Sequence, residues 1–252
     1  GQDAIAIKVI NTSGDRIQDR PLAEVGGKGL FTKEIEEALI AREIDLAVHS
    51  MKDVATVLPP GLGIVAVLER EDPRDAFISK RHKSFAALPH GATVGTSSLR
   101  RQAQILRARP DLNVIGFRGN VQTRLRKLDE GVAEATFLAV AGLNRLDAKM
   151  HITEAVAIDT MIPAVAQGAI GIEVRLDDAR IRPLVETLDH TATRTAIDCE
   201  RAFLARLDGS CRTPIAGHAR LSASGEVVFA GEILTPDGRA RHHVHRTGPA
   251  AD

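Results

Sequence analysis

The sequence predicts an α/β protein, two α/β units followed by a small α+β unit. Three observations carry this expectation. Short apolar runs suited to buried strands alternate with stretches whose apolar residues recur at helical spacing. Polar or glycine-rich turns separate the two kinds of segment, and near Thr193 the alternation gives way to one long helical pattern followed by strand-like runs. At 252 residues and 44% hydrophobic content the chain can bury a real core, and its length suits two or three modest domains.

Taken in order, Ala4 to Ile10 is apolar and β-branched and reads as a strand, broken at Thr12-Ser13-Gly14-Asp15. Gly26-Gly27-Lys28-Gly29 leads into a helix over Leu30 to Ala41, with Phe31, Ile35, Ala38 and Leu39 on one face. The glycines fail the spacing of a phosphate-binding P-loop and read instead as a mobile segment. Ile44 to Val48 is a short buried strand, and His49-Ser50-Met51-Lys52-Asp53 follows at its carboxyl end, where open α/β sheets place ligand groups. Glu69 to Asp75 reads as a charged connector between units.

In the second unit Thr93 to Thr96 ends a strand, Ser97 or Ser98 caps a helix, and Leu99, Ala103 and Leu106 form its inward stripe. The pattern repeats with a strand over Leu112 to Phe117, the turn Arg118-Gly119-Asn120, and a stripe at Val121, Leu125 and Leu128. Thr136 to Ala141 and Ile170 to Val174 read as further buried strands, with Ala166-Gln167-Gly168 punctuating the run between them. A helix over Thr193 to Leu207 then leads to the loop Gly209-Ser210-Cys211-Arg212-Thr213-Pro214 and to strands at Glu226 to Phe229 and Gly231 to Leu234.

Charge is distributed unevenly. The 33 basic residues balance 33 acidic ones over the whole chain, yet from Thr96 to Arg126 seven arginines face the single acid Asp111. A neutral protein that gathers arginine in one segment is building a site for an anionic small molecule rather than a coat for nucleic acid. Arginine suits that task because its planar fork meets two carboxylate oxygens at once and its charge survives burial. Trp and Tyr are absent and only seven Phe remain, so stacking platforms for single-stranded nucleic acid are few. No apolar run approaches the roughly 20 residues of a membrane helix, and the first residues lack a signal-peptide pattern. The chain is expected to be soluble, cytoplasmic and monomeric, with no nucleic acid and no membrane among its partners.

The residues that could carry chemistry are few. Asp53, at a strand end beside Lys52, reads either as a helix cap or turn former or, if it faces the arginines, as a carboxylate kept ionised to stabilise a cationic intermediate. Cys199 lies in helical register with Ala196, Phe203 and Leu207 and reads as a small core side chain, whereas Cys211 sits in a loop beside Arg212, which favours the thiolate and leaves covalent attachment open. His242, His243 and His245 lie among Arg239, Arg241 and Arg246, which opposes a bound cation; a solvated strand is expected there and no metal site.

Several longer motifs have a family match. Val48-His49-Ser50-Met51-Lys52-Asp53-Val54, Glu71-Asp72-Pro73-Arg74-Asp75-Ala76, Gly95-Thr96-Ser97-Ser98-Leu99-Arg100-Arg101, Arg118-Gly119-Asn120 and Gly209-Ser210-Cys211 together resemble the porphobilinogen deaminase (hydroxymethylbilane synthase) family. The resemblance implies two α/β domains of the periplasmic-binding-protein type (type II), formed by residues 1–68 with 169–186 and by 69–168, and a cofactor-bearing third domain at 187–252. It implies a transferase of heme and other tetrapyrrole synthesis that joins four porphobilinogen molecules head to tail, releases ammonia at each addition and hydrolyses the linear tetrapyrrole free. The cofactor would be a dipyrromethane held by a thioether to Cys211.

By the same resemblance Asp53 is the catalytic aspartate, and Lys52, Ser98, Arg100, Arg101, Arg118 and Arg124 bind the cofactor's carboxylates. Arg145, Gln167, Lys28 and Phe31 serve the substrate, the last two from a segment over the cleft. Ala55 stands where the family usually has proline. The family's first strand and last helix are expected to lie outside this sequence. Two alternatives stay open: a non-catalytic carboxylate-binding module and an inactive truncated relative.

Overall fold

A computed structural model describes residues 5–16, 29–207 and 213–250, with the backbone alone at 15 and 16. The chain begins with a helical turn α1 (Ser13–Arg16), helix α2 (Lys33–Ile40) and strands β1 (Leu46–Ser50), β2 (Leu62–Val67), β3 (Asp75–Ile78) and β4 (Thr93–Gly95). It continues through α3 (Leu99–Ala108), β5 (Asn113–Ile115), α4 (Val121–Asp129), β6 (Ala135–Ala139), α5 (Val140–Arg145), β7 (Glu154–Ala155), β8 (Ile170–Arg175) and α6 (Arg182–Glu186). Helix α7 (Thr191–Arg206) and strands β9 (Ile215–Leu221), β10 (Glu226–Leu234) and β11 (Arg241–Pro249) complete it.

These elements form three sheets. The first, in the order β1-β8-β2, is antiparallel throughout. The second runs β5-β4-β6-β3-β7, with β4 parallel to both neighbours and β3 antiparallel to both of its own. The third is an antiparallel meander, β11-β10-β9, under α7. The architecture is therefore mixed α/β with an appended α+β unit, as the alternation of patterns predicts.

Both faces of the second sheet are buried, which is why β3 is apolar on successive residues instead of alternating. Phe77 pairs with Phe137 across the strands, and both meet Phe85 on one face, while Ala76 and Leu138 face Phe117 and Leu143 on the other. Each such ring contributes roughly 1.5–3 kcal/mol on burial. Two segments cross between the first two sheets, one from β2 to β3 and one from β7 to β8.

Several sequence expectations need correction. Residues 5–10 join no sheet; Ile5, Ile7 and Val9 keep their alternation but face solvent, because a strand signal needs a neighbouring edge to pair with. Lys8 ties this segment down instead, 2.5 Å from Glu43. The strand expected from Ile44 starts at Leu46, and the one expected to reach Ala141 stops at Ala139, where α5 begins. Leu112 to Phe117 contributes only Asn113–Ile115. The two runs at Glu226 to Phe229 and Gly231 to Leu234 are one strand, since Ala230 keeps its place opposite His218 and His245. Finally, the charged connector does not end in a loop: Asp75 opens β3 and is fully buried.

Candidate active site

The turn after β1 is built to push two side chains outward. Met51 donates its N–H to the Ala169 carbonyl at 3.0 Å and drops its side chain onto Gly171 of β8, where an added Cβ would meet the sulfur at 2.1 Å. The single 3-10 turn over Met51–Asp53 then leaves Lys52 and Asp53 exposed at the sheet edge. On the far side, Arg201 of α7 donates to the carbonyls of Val54 at 3.0 Å and Ala55 at 2.6 Å. The loop that lacks proline at position 55 is thus braced by a guanidinium, a residue that sequence reading passed over.

The second sheet supplies the cations. Ser98 caps α3 by accepting the Arg101 N–H at 3.4 Å, which sets Arg100 and Arg101 on the first turn, both buried. Arg101 places Nε and Nη2 at 3.1 and 2.7 Å from Asp75 Oδ1, and Arg100 Nη1 lies 2.7 Å from Oδ2 without the alignment of a hydrogen bond. Burial opposes the Asp75 charge, yet the two arginines outweigh it and hold the carboxyl well below the usual carboxylate range. Asn120 caps α4, and Arg124 in its second turn donates from Nε to the Gly119 carbonyl at 2.8 Å.

The two sides face one another. Lys52 feels the charges of Asp53, Arg101, Asp75 and Arg100, and although open to the cleft it is crowded by protein, which chiefly holds its ammonium below the ordinary value. Arg124 is lowered to about 10, first by burial and then by Arg101 and Arg118. Such like-charge crowding among Lys52, Arg100, Arg101, Arg118 and Arg124, which Asp53, Asp75 and Glu232 offset in part, favours a carboxylate-bearing ligand. The orphaned Nε of buried Arg100 points the same way.

A cleft between the first two sheets is lined by Ser50, Lys52, Gly142, Arg145, Gln167 and Gly168. Arg145 leans across it, donating to the Gly168 carbonyl at 2.7 Å. Gln167 is almost fully buried and spends its amide on the Pro73 carbonyl at 2.7 Å and Asp75 Oδ1 at 3.0 Å. Phe31 does not line this cleft; its ring packs against Gly14 of α1. Lys28 and Cys211 lie outside the described residues. Cys199 is half-buried in the apolar layer between α7 and the third sheet, and burial pushes its thiol up, against reactivity. Asp75, Arg201 and the network described below for Arg70 were invisible to local pattern, because each depends on partners far along the chain.

Comparison with known proteins gives the arrangement its family. Residues 2–183 match the model described as "Porphobilinogen deaminase, dipyromethane cofactor binding domain", and residues 194–252 match "Porphobilinogen deaminase, C-terminal domain". The porphobilinogen deaminase of Paracoccus denitrificans (strain Pd 1222) is 57% identical over 251 residues, which cover 99% of this chain and 80% of that one. That of Nitrobacter hamburgensis (strain DSM 10229 / NCIMB 13809 / X14) is 57% identical over 250 residues, 99% of this chain and 79% of its own. A solved periplasmic substrate-binding protein of an ABC transporter from Coxiella burnetii overlaps 64% of this chain and 77% of its own, at a TM-score of 0.40 and 14% identity. With two family models spanning nearly all of the sequence that holds the arginine-lined cleft, this chain belongs to the porphobilinogen deaminase family.

Proposed function

We propose that this chain is a hydroxymethylbilane synthase, a transferase that condenses four porphobilinogen molecules head to tail with loss of ammonia at each step and then releases the linear tetrapyrrole by hydrolysis. The observation that carries it is the cation surplus around Lys52 and Asp53. Each pyrrole bears acetate and propionate chains, so a growing polypyrrole is a polyanion, and the guanidinium of Arg124, crowded by Arg101 and Arg118, gains from a carboxylate that joins it.

The same surplus fits a dipyrromethane cofactor. Lys52, Ser98, Arg100, Arg101, Arg118 and Arg124 would hold it, and Cys211 would bear it through a thioether. When bound, the cofactor supplies the pyrrole carbon onto which the first substrate is added. Arg145 and Gln167 would receive the incoming substrate. Asp53 accepts hydrogen bonds from pyrrole N–H groups and offsets the positive charge that develops as ammonia departs. That role requires the carboxylate form.

This reading divides the chain at 1–68 with 169–186, 69–168 and 187–252. The two α/β units would act as lobes of the periplasmic-binding-protein type that open and close on the cleft. It places the protein in the cytoplasm as a monomer that binds neither nucleic acid nor membrane; among the described residues no helix is long and apolar enough to cross one.

The test pairs intact-mass measurement with turnover. The purified chain should carry an excess equal to two condensed porphobilinogen units, absent from Cys211→Ser, and should release ammonia from porphobilinogen. A bare mass with no ammonia release would return the chain to the carboxylate-binding-module reading.

A further inference from the structure

We infer that Asp75 is a positioning residue: the standing counter-ion that keeps Arg100 and Arg101 aimed before any ligand carboxylate arrives. The inference rests on the polyanion-binding reading above. Arg100 and Arg101 are adjacent in sequence and only 5% and 6% exposed, so neither can be hydrated and each repels the other. One carboxylate, itself 0% exposed, sits between them.

The rest of the cluster explains why a single acid suffices. Arg100 Nη1 donates to the Ile162 carbonyl and Arg101 Nη1 to the Phe137 carbonyl, both at 2.8 Å, so each guanidinium has a backbone acceptor besides its ion pair with Asp75. Two cations against the one anion in contact with them leave that cluster net positive toward a ligand, with Glu232 adding its field at Arg100. Gln167 donates to Asp75 Oδ1 from the second crossing segment and to the Pro73 carbonyl in the first, so the aim of the arginines is tied to both crossings. Without Asp75 the pair would be a buried double charge free to splay, and the cleft would meet its ligand with misdirected forks. Asp75 acts through these arginines, not by touching the reacting atoms.

The charge relation is tested by a cycle of Asp75→Asn, Arg100→Gln and the double variant, with melting temperature as the readout. Asp75→Asn should lower it by about 5 °C or more. Adding Arg100→Gln should recover at least half of that loss, because the net buried charge returns to its original value; losses that simply add would overturn the inference. In folded Asp75→Asn, the loaded molecules should show a KM for porphobilinogen raised about tenfold with kcat little changed. If too few load for kinetics, intact mass should show a cofactor-bearing fraction at least fivefold below the parent's. Full loading with an unchanged KM overturns the proposal. A parent chain that neither carries the cofactor mass nor consumes porphobilinogen sinks the functional reading instead, and the melting cycle still decides the charge relation.

Discussion

Gly168 and Glu71 face each other where the two crossing segments pass: a Cβ on Gly168 would meet the Glu71 carbonyl oxygen at 2.4 Å, and the Glu71 N–H donates to the Gly168 carbonyl at 3.3 Å. Gly168 also has φ +91°, a left-handed conformation that side chains resist. Gly168→Ala is therefore expected to force the crossings apart, lowering stability by about 2 kcal/mol or more in denaturant titration. Because Arg145 and Asp75 are tied to the same strands, porphobilinogen turnover should fall further than the folded fraction.

Arg70 lies in the first crossing segment and binds Glu200 of α7 at 2.6 Å and 3.2 Å, the Gln167 carbonyl at 2.9 Å and the Ala219 carbonyl at 3.4 Å. Glu200 is fully buried and also accepts the backbone N–H groups of Ala166 and Ala219. Burial pushes the Glu200 carboxyl up, against the pull of Arg70, so removing the guanidinium leaves an uncompensated buried acid. Arg70→Leu should cost about 3–5 kcal/mol, and Arg70→Leu with Glu200→Leu together less than the sum of the two. Thermal melts of the three variants check this.

His218 should weaken the fold in mild acid. Burial, with Arg70 and Arg220, lowers it from 6.5 to about 4. A folded value below the unfolded one means that the unfolded chain takes up the proton first. The contribution is complete above pH 6.5 and is lost as pH falls from there toward 4, up to about 3 kcal/mol in all. Asp75 does not share this window: its depressed value keeps its contribution whole until pH drops below the ordinary carboxylate range. His218→Gln should flatten the stability profile between pH 6.5 and 4, measured by urea unfolding at stepped pH.

Asp53→Asn keeps the shape of the turn and removes its charge. Turnover is expected to fall by at least about a thousandfold with the cofactor mass retained. Near-normal ammonia release from that variant would remove Asp53 from the chemistry.

Arg118→Leu and Arg124→Leu should differ from Asp53→Asn in kind. They reduce the cation surplus without touching the turn, so cofactor loading or chain elongation should suffer. Mass spectrometry of enzyme-bound pyrrole intermediates should show a shorter distribution, and an unchanged one would count against their role.

Much of this site is written locally in the sequence. A serine before an amphipathic stripe gives the cap at Ser98, and a strand end followed by polar residues gives the turn at Lys52 and Asp53. The rest depends on partners that only folding supplies. Asp75 sits in a string of charges that looks like a linker, and its burial follows from arginines about 25 positions later. Arg201 looks like an exposed helical arginine until its two carbonyl partners, nearly 150 residues earlier, are known. Residues 5–10 show the opposite failure: apolar, β-branched composition alone says strand, and among the described residues no sheet takes it up.

Strand β8 lies between β1 and β2, which do not pair with each other. Among the described residues β1 and β2 therefore have their ladder partner only once residues 170–175 are available, whereas the second sheet draws all of its strands from 75–155. During synthesis the middle of the chain can fold while the earlier strands wait, exposed, for their partner. The ribosome must deliver roughly a hundred further residues, several seconds of translation, before the half of the cleft that carries Asp53 can close its ladder.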